Sequence, residues 1–255
     1  MNEKYGTKWS RDETILAMEL YCRTPFSKIG KDNPEIVELA KLIGRTPSSV
    51  GLKMANIAHF DPSIRKQNLS GMGNASKLDE EIFKEFHENM LLLSNEVDRI
   101  KAGLVSRVAE DTLINNYGGY ESVSAHKNRI GQTRFREYVL ASYNSHCCIT
   151  GLAEKKLLLA SHIKPWSDCD DATEKTNPCN GLCLNPWHDR AFDKGLITID
   201  KNYKVIVSEQ LNKCDMDDNT RAWLKEYENK QIILPDKFAP DRRFIEYHND
   251  VVFLG

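Results

Sequence analysis

The sequence predicts an α+β protein: a helical N-terminal module, a long connector helix, then a strand-and-helix domain with a C-terminal extension. Three observations carry this. Capped apolar stripes at helical spacing run to about residue 102. Short apolar runs bounded by turn residues begin near Leu157. Residues of catalytic type then crowd into 160–193. The expected boundaries are 1–65, 66–125 and 126–255.

At 255 residues the chain is long enough for a catalytic domain plus small modules. Forty per cent hydrophobic and 28% charged residues is ordinary for a soluble globular protein. No apolar run reaches the roughly 18 residues of a membrane span. Met1 to Trp9 lacks the apolar region of a signal peptide, so a cytoplasmic location is expected. The seven cysteines have no regular spacing and are expected to be reduced thiols. A net charge of −2 argues against a broad basic surface, but positive charge confined to one cleft is compatible with it.

Taken in order, Ser10 before Arg11-Asp12-Glu13 fits an N-cap with acids in the first turn. Pro34 suits the start of a second helix, and Gly44 its stop. Arg45-Thr46-Pro47 opens a third, running to about Ile57. Helix, glycine turn, helix is the helix-turn-helix layout, here a candidate DNA-binding module with Arg45, Ser48, Ser49 and Lys53 on its exposed face. A bundle used only for packing or dimerisation is the alternative. Ser70 to Ser76 is a flexible break. From Leu78 to Ala102, Ile82, Phe83, Phe86, Met90, Leu91, Leu93, Val97 and Ile100 mark an amphipathic connector or dimer helix. Asn115 to Tyr120 is a linker.

A basic helix follows at 129–140. Phe135, Val139 and Leu140 face a core, and Arg129, Gln132 and Arg136 share one side. That side would lie along phosphates and reach a base edge, or be an ordinary solvated face. Beyond the catalytic region, 195–200 and 204–207 read as a hairpin and 221–227 as a short helix. The remainder reads as an extended tail.

Leu157 to Ala160 reads as a buried strand that ends in Ser161-His162. A neutral imidazole there can take a proton from water, which then attacks phosphorus. Asn180-Gly181 closes the polar loop, and the Asn180 amide can fix that loop's shape. Asn185 or Pro186 begins a helix on which Asp189 and Asp193, four residues apart, share a face. Two hard oxygen ligands at that spacing suit magnesium or manganese; a helix-dipole role for Asp189 is the alternative. His188 is a further candidate ligand, and Arg190 could clamp a phosphate oxygen. Cys148 lacks a Cys-x-x-Cys partner because Gly151 holds that place, so a structural zinc is not expected.

Residues 129 to about 200 resemble the HNH endonucleases. The motifs are Ser161-His162-Ile163-Lys164-Pro165-Trp166 and His188-Asp189-Arg190-Ala191-Phe192-Asp193, preceded by the segments Arg129 to Arg136 and Cys148 to Gly151. They are similar to those of a subgroup found in bacterial restriction and phage defence. The resemblance implies a ββα-metal nuclease fold, with His162 as general base, Asn180 as the middle asparagine, and one divalent ion stabilising the scissile phosphate. Mg²⁺ or Mn²⁺ is expected, with Zn²⁺ or Ni²⁺ as alternatives. In the common pattern a histidine stands nine residues after the asparagine, where this chain has Asp189. The residue before the general base is often a metal-binding Asp or His, and here it is Ser161. The expected metal residues are therefore Asp189, Asp193, His188 and Ser161.

The expected function is metal-dependent hydrolysis of double-stranded DNA by a homodimer with no membrane association. A non-catalytic DNA-binding regulator and an RNA-directed nuclease are the rivals.

Overall fold

The computed structural model describes the chain except residues 1–3, 5, 67–74 and 110–122; for 66, 105–109, 123–130 and 212 it describes the backbone alone. The expected break near Ser70 falls mostly outside the described residues, the linker at Asn115 to Tyr120 wholly so.

The N-terminal half is a bundle. Its helices are α1 (Arg11–Arg23), α2 (Pro34–Ile43), α3 (Pro47–Ala58), the single turn α4 (Pro62–Lys66), α5 (Lys77–Phe86) and α6 (Met90–Ala109). Ser10 closes a full capping box with Glu13. Asn33 and Thr46 cap α2 and α3, each ahead of a proline in the first turn. Gly44 ends α2 at φ 70°, the left-handed conformation glycine adopts without strain. Buried α1 is the hub, with α2, α3, α5 and α6 all packed on it.

The single connector helix expected at 78–102 is two helices. Asn89 stops the first run and accepts the Leu92 amide at 3.0 Å, as a helix N-cap does. The apolar stripe expected to join two copies is buried in this bundle: Ile82, Phe83, Phe86, Met90, Leu93, Val97 and Ile100 all enter its core.

Helix α7 (Val123–Ser142) runs from this bundle into a second core. Tyr138 is buried in the first core; Phe135, Val139 and Leu140 are buried in the second. There β1 (Leu159–His162) pairs antiparallel with β2 (Gly181–Leu184), with His162 opposite Gly181. The first strand begins two residues later than expected, because Lys155–Leu157 is a 3₁₀ turn; Leu157 and Leu159 are exposed. Helix α8 (Pro186–Asp193) follows β2 at once. The hairpin β3 (Ile197–Ile199) and β4 (Val205–Val207) comes next, then α9 (Asp218–Lys225).

The extended C-terminal tail is not found. It contains α10 (Arg242–Tyr247) and a π-helical turn, His248–Val252. Residues 236–241 stitch the two cores together. The Asp236 amide donates to Ser142 O at 3.0 Å, the Ala239 amide to Ser63 Oγ at 3.0 Å, and the Asp241 amide to Cys179 O at 3.0 Å. Phe238 enters the N-terminal core, and Lys237 buries its amine against Tyr21 O and Thr24 O. Among the described residues, no helix is long and apolar enough to cross a membrane.

Candidate active site

Two antiparallel strands, an asparagine cap and a helix build the site. Asn185 accepts the Trp187 and His188 amides at 3.1 and 3.0 Å, so α8 starts one residue after β2. That abrupt turn lays α8 on the hairpin, while α7 covers the strands as well.

His162 stands at the end of β1. Its ring stacks on Phe135 of α7, centroids 3.8 Å apart and planes at 13°, and meets the edge of Trp166 at 5.3 Å. Its Nε2 lies 2.9 Å from Lys175 O. A carbonyl only accepts, so Nε2 carries the proton and Nδ1 keeps its lone pair. Burial pushes the His162 pKa below the ordinary value, partly offset by the Lys175 carbonyl and the Asp193 charge. The ring is therefore neutral near pH 7 and can accept a proton.

Asn180 is fully buried. Its Oδ1 accepts the Lys164 amide at 2.8 Å, and its Nδ2 reaches Lys164 O at 3.3 Å and Cys169 Sγ at 3.2 Å. The Asn180 carbonyl accepts the Ile163 amide at 2.9 Å. This residue thus closes both ends of the loop that presents Lys175 O to the histidine. A bond between Lys164 and Glu174, at 2.6 Å, braces the same loop.

On α8, Asp189 is half-buried and its pKa is raised, first by burial and then by the neighbouring Asp193 charge. Arg190 and the Ser161 hydroxyl oppose that shift. Strand alternation turns Ser161 toward α8 while His162 faces α7. Ser161 Oγ lies close enough to act on Asp189, yet it falls short of hydrogen-bond geometry and is buried without a partner. Asp193 is the shared member, acting on both His162 and Asp189. Among the described residues, no three His, Cys, Asp or Glu side chains form a metal-holding cluster. Asp189, Asp193 and the Ser161 hydroxyl offer hard oxygen atoms, the donor type that a hard divalent ion favours.

His188 does not join them. One residue before Asp189 is a rotation of about 100° on a helix, which carries its ring away from the carboxylates. It packs at 4.7 Å from Trp223 and 5.7 Å from Tyr227, and its Nδ1 accepts from Asn185 Nδ2 at 2.9 Å. Burial lowers its pKa to about 4. It is a neutral packing residue.

Two of the expected DNA contacts are also corrected. Arg45 is buried, bonding Glu13 at 2.7 Å and the Thr7 and Lys8 carbonyls. Lys53 is buried against Asp79, and both cations lie over Trp9. They neutralise acids inside the bundle, and α3 shows Ser48 and Leu52 to solvent instead. Of the remaining contacts, Gln132 and Arg190 are exposed and Arg136 half-exposed. The side chain of Arg129 lies outside the described residues.

Sequence reasoning missed three supports: the Phe135 stack, the Lys175 carbonyl, and His248 behind α8. The His248 ring stacks on Phe192 at 3.8 Å and its Nε2 lies 3.1 Å from Phe192 O, one residue before Asp193. Trp166, within the histidine motif, signalled an aromatic setting for His162; no sequence feature signalled His248.

Residues 147–200 match a family model described as HNH endonuclease. This stretch is an HNH domain. Its span takes in the hairpin of β1 and β2, α8 and β3. A comparison with curated proteins found no match. The match suggests a nuclease-type, DNA-cleaving function for this stretch.

Proposed function

We propose that the chain is a metal-dependent HNH endonuclease that hydrolyses phosphodiester bonds of double-stranded DNA. The observation that carries this reading is the His162 ring: neutral, held by Lys175 O so that Nδ1 is the basic atom, and within electrostatic reach of Asp193. His162 Nδ1 takes the proton of a water whose oxygen attacks phosphorus. Asn180 holds the loop that fixes the ring. Asp189 and Asp193, with Ser161 beside them, would hold the ion. Once bound, the ion stabilises charge on the scissile phosphate and the leaving oxygen. With His188 packed elsewhere the donors are oxygens, which favours Mg²⁺ or Mn²⁺ over Zn²⁺ or Ni²⁺. Gln132, Arg136 and Arg190 lie on the phosphates. The motifs' similarity to restriction and phage-defence nucleases supports that setting. Cutting both strands requires two such sites, so a homodimer would join through a surface other than α5 and α6.

The test is plasmid cleavage in Mg²⁺ or Mn²⁺ by the parent beside His162→Ala. A loss of about 10²-fold or more in the variant supports the general base. Equal DNA binding with no cleavage by either protein leaves a non-catalytic regulator, the reading that Ser161 before the histidine and Asp189, where the family has histidine, would favour.

A further inference from the structure

A cleft of about 630 Å³ lies between the α1–α2 connection and α7. Arg23, Lys28, Arg136 and Lys155 line it against the carboxylates Glu35 and Glu137. Arg23 is committed to Glu19 and Glu35. Burial raises the Glu137 pKa, and the Arg23 and Arg134 charges oppose that shift. Lys28, Arg136 and Lys155 have no ion-pair partner among the described residues, and both lysines are exposed. Three such cations thus converge on one opening in a protein whose net charge is −2.

The cleft also adjoins the HNH site. Arg136 follows Phe135, on which His162 stacks, and its Nη2 reaches Lys155 O at 3.5 Å. From Lys155 to His162 is seven residues, at most about 24 Å of chain. At 3.4 Å of duplex axis per base pair, that is within about seven base pairs of the cut.

We propose that this cleft is a second DNA-backbone contact, in which Lys28 of the N-terminal bundle and Lys155 of the nuclease core hold phosphates flanking the cut site. This rests on the nuclease reading above. It gives the N-terminal bundle a DNA-facing edge at the α1–α2 connection, in place of α3, whose one cation, Lys53, is buried.

The test measures binding of a labelled 30-base-pair duplex by full-length His162→Ala protein between 50 and 200 mM salt, with and without the added pair Lys28→Ala and Lys155→Ala. Each cation that leaves a phosphate lowers the slope of log affinity against log salt by about 0.9. The pair should lower it by about two and weaken binding at 50 mM salt by about tenfold or more, with an unchanged melting temperature. An unchanged slope overturns the cleft proposal. If the slope is unchanged while inorganic phosphate or ATP raises the melting temperature of the parent but not of the lysine variant, the cleft holds a free phosphate compound and the DNA assignment falls. Cleavage by the otherwise unaltered protein separates the two readings: cutting with an unchanged slope removes only the cleft, whereas no cutting and no duplex binding removes both.

Discussion

His162 shows how much of this site depends on one ring's surroundings. Phe135 and Trp166 strip water from it, and Lys175 O fixes its tautomer. Its pKa is lowered, so the neutral, active form persists to lower pH than for an ordinary imidazole. Cleavage should rise with pH through that pKa, and the half-maximal point of the acid limb should fall below 6.5. Rates under saturating metal from pH 5 to 8 check this; a midpoint above 6.5 contradicts it. The buried His188 gives a separate, thermodynamic signal. Its folded pKa, about 4, lies below the ordinary 6.5. The unfolded state therefore binds the proton first, so stability holds above pH 6.5 and is lost as pH falls toward 4. The loss is on the order of 2 kcal/mol. His188→Phe should flatten that part of the profile in urea midpoints measured between pH 7 and 4.5. The motif around His162 was legible because its residue types and order carry the chemistry. His188 misled because a metal ligand and a packed imidazole look alike in sequence; only the turn of α8 tells them apart.

At the level of elements, the hairpin and α8 place the chemistry, and glycine lets α7 pack closely on the hairpin. Gly181 pairs with His162 across the strands. A Cβ there would collide with Val139 Cγ2 and meet Phe135 Cζ at 3.0 Å. Phe135 is the ring on which His162 stacks, so this crowding acts on the proposed general base. Gly181→Ala should cost about 1–3 kcal/mol of stability. It should also lower kcat more than it weakens duplex binding, because it displaces the base and leaves the exposed cations in place. Parallel cleavage and anisotropy measurements separate the two effects. An equal loss in both would show general unfolding instead. Several helix ends were legible from local signals, as at Ser10, Pro34, Gly44 and Asn185. The continuous apolar stripe across 82–100 hid the cap at Asn89, and α5 and α6 were read as one. Periodicity measures which face is buried, and it is silent on what buries it. The same limit concealed the burial of Arg45 and Lys53, since a cation's partner acid lies far away in the sequence.

Across the whole molecule, the two cores are tied by α7 and by the last twenty residues. Tyr138 and Phe238, from the nuclease half of the chain, complete the N-terminal core. Lys237 adds bonds to two carbonyls at the end of α1, one of them Thr24 O at 2.7 Å. Its fully buried amine has a pKa lowered to about 8, and the Tyr21 ring lies 4.5 Å beneath it. None of this was legible, because a tail with weak periodicity gives no sign of a partner more than two hundred residues earlier. The consequence is cooperative unfolding: the N-terminal core is not complete without chain from the nuclease half. Urea transitions followed by far-ultraviolet circular dichroism, dominated by the helices, and by tryptophan fluorescence should coincide in the parent. Trp187 and Trp223 lie together on the nuclease side, and Trp9 packs in the bundle, so fluorescence is followed in a Trp9→Phe background that lacks the bundle's own tryptophan. Phe238→Ala removes a fully buried ring and should cost about 3–5 kcal/mol. If the cores are coupled as the packing shows, this change in the bundle must lower the midpoint seen by fluorescence as well as by dichroism. A fluorescence transition left at its parental midpoint would mean that the nuclease core stands alone, and that residues 236–241 only rest against the bundle.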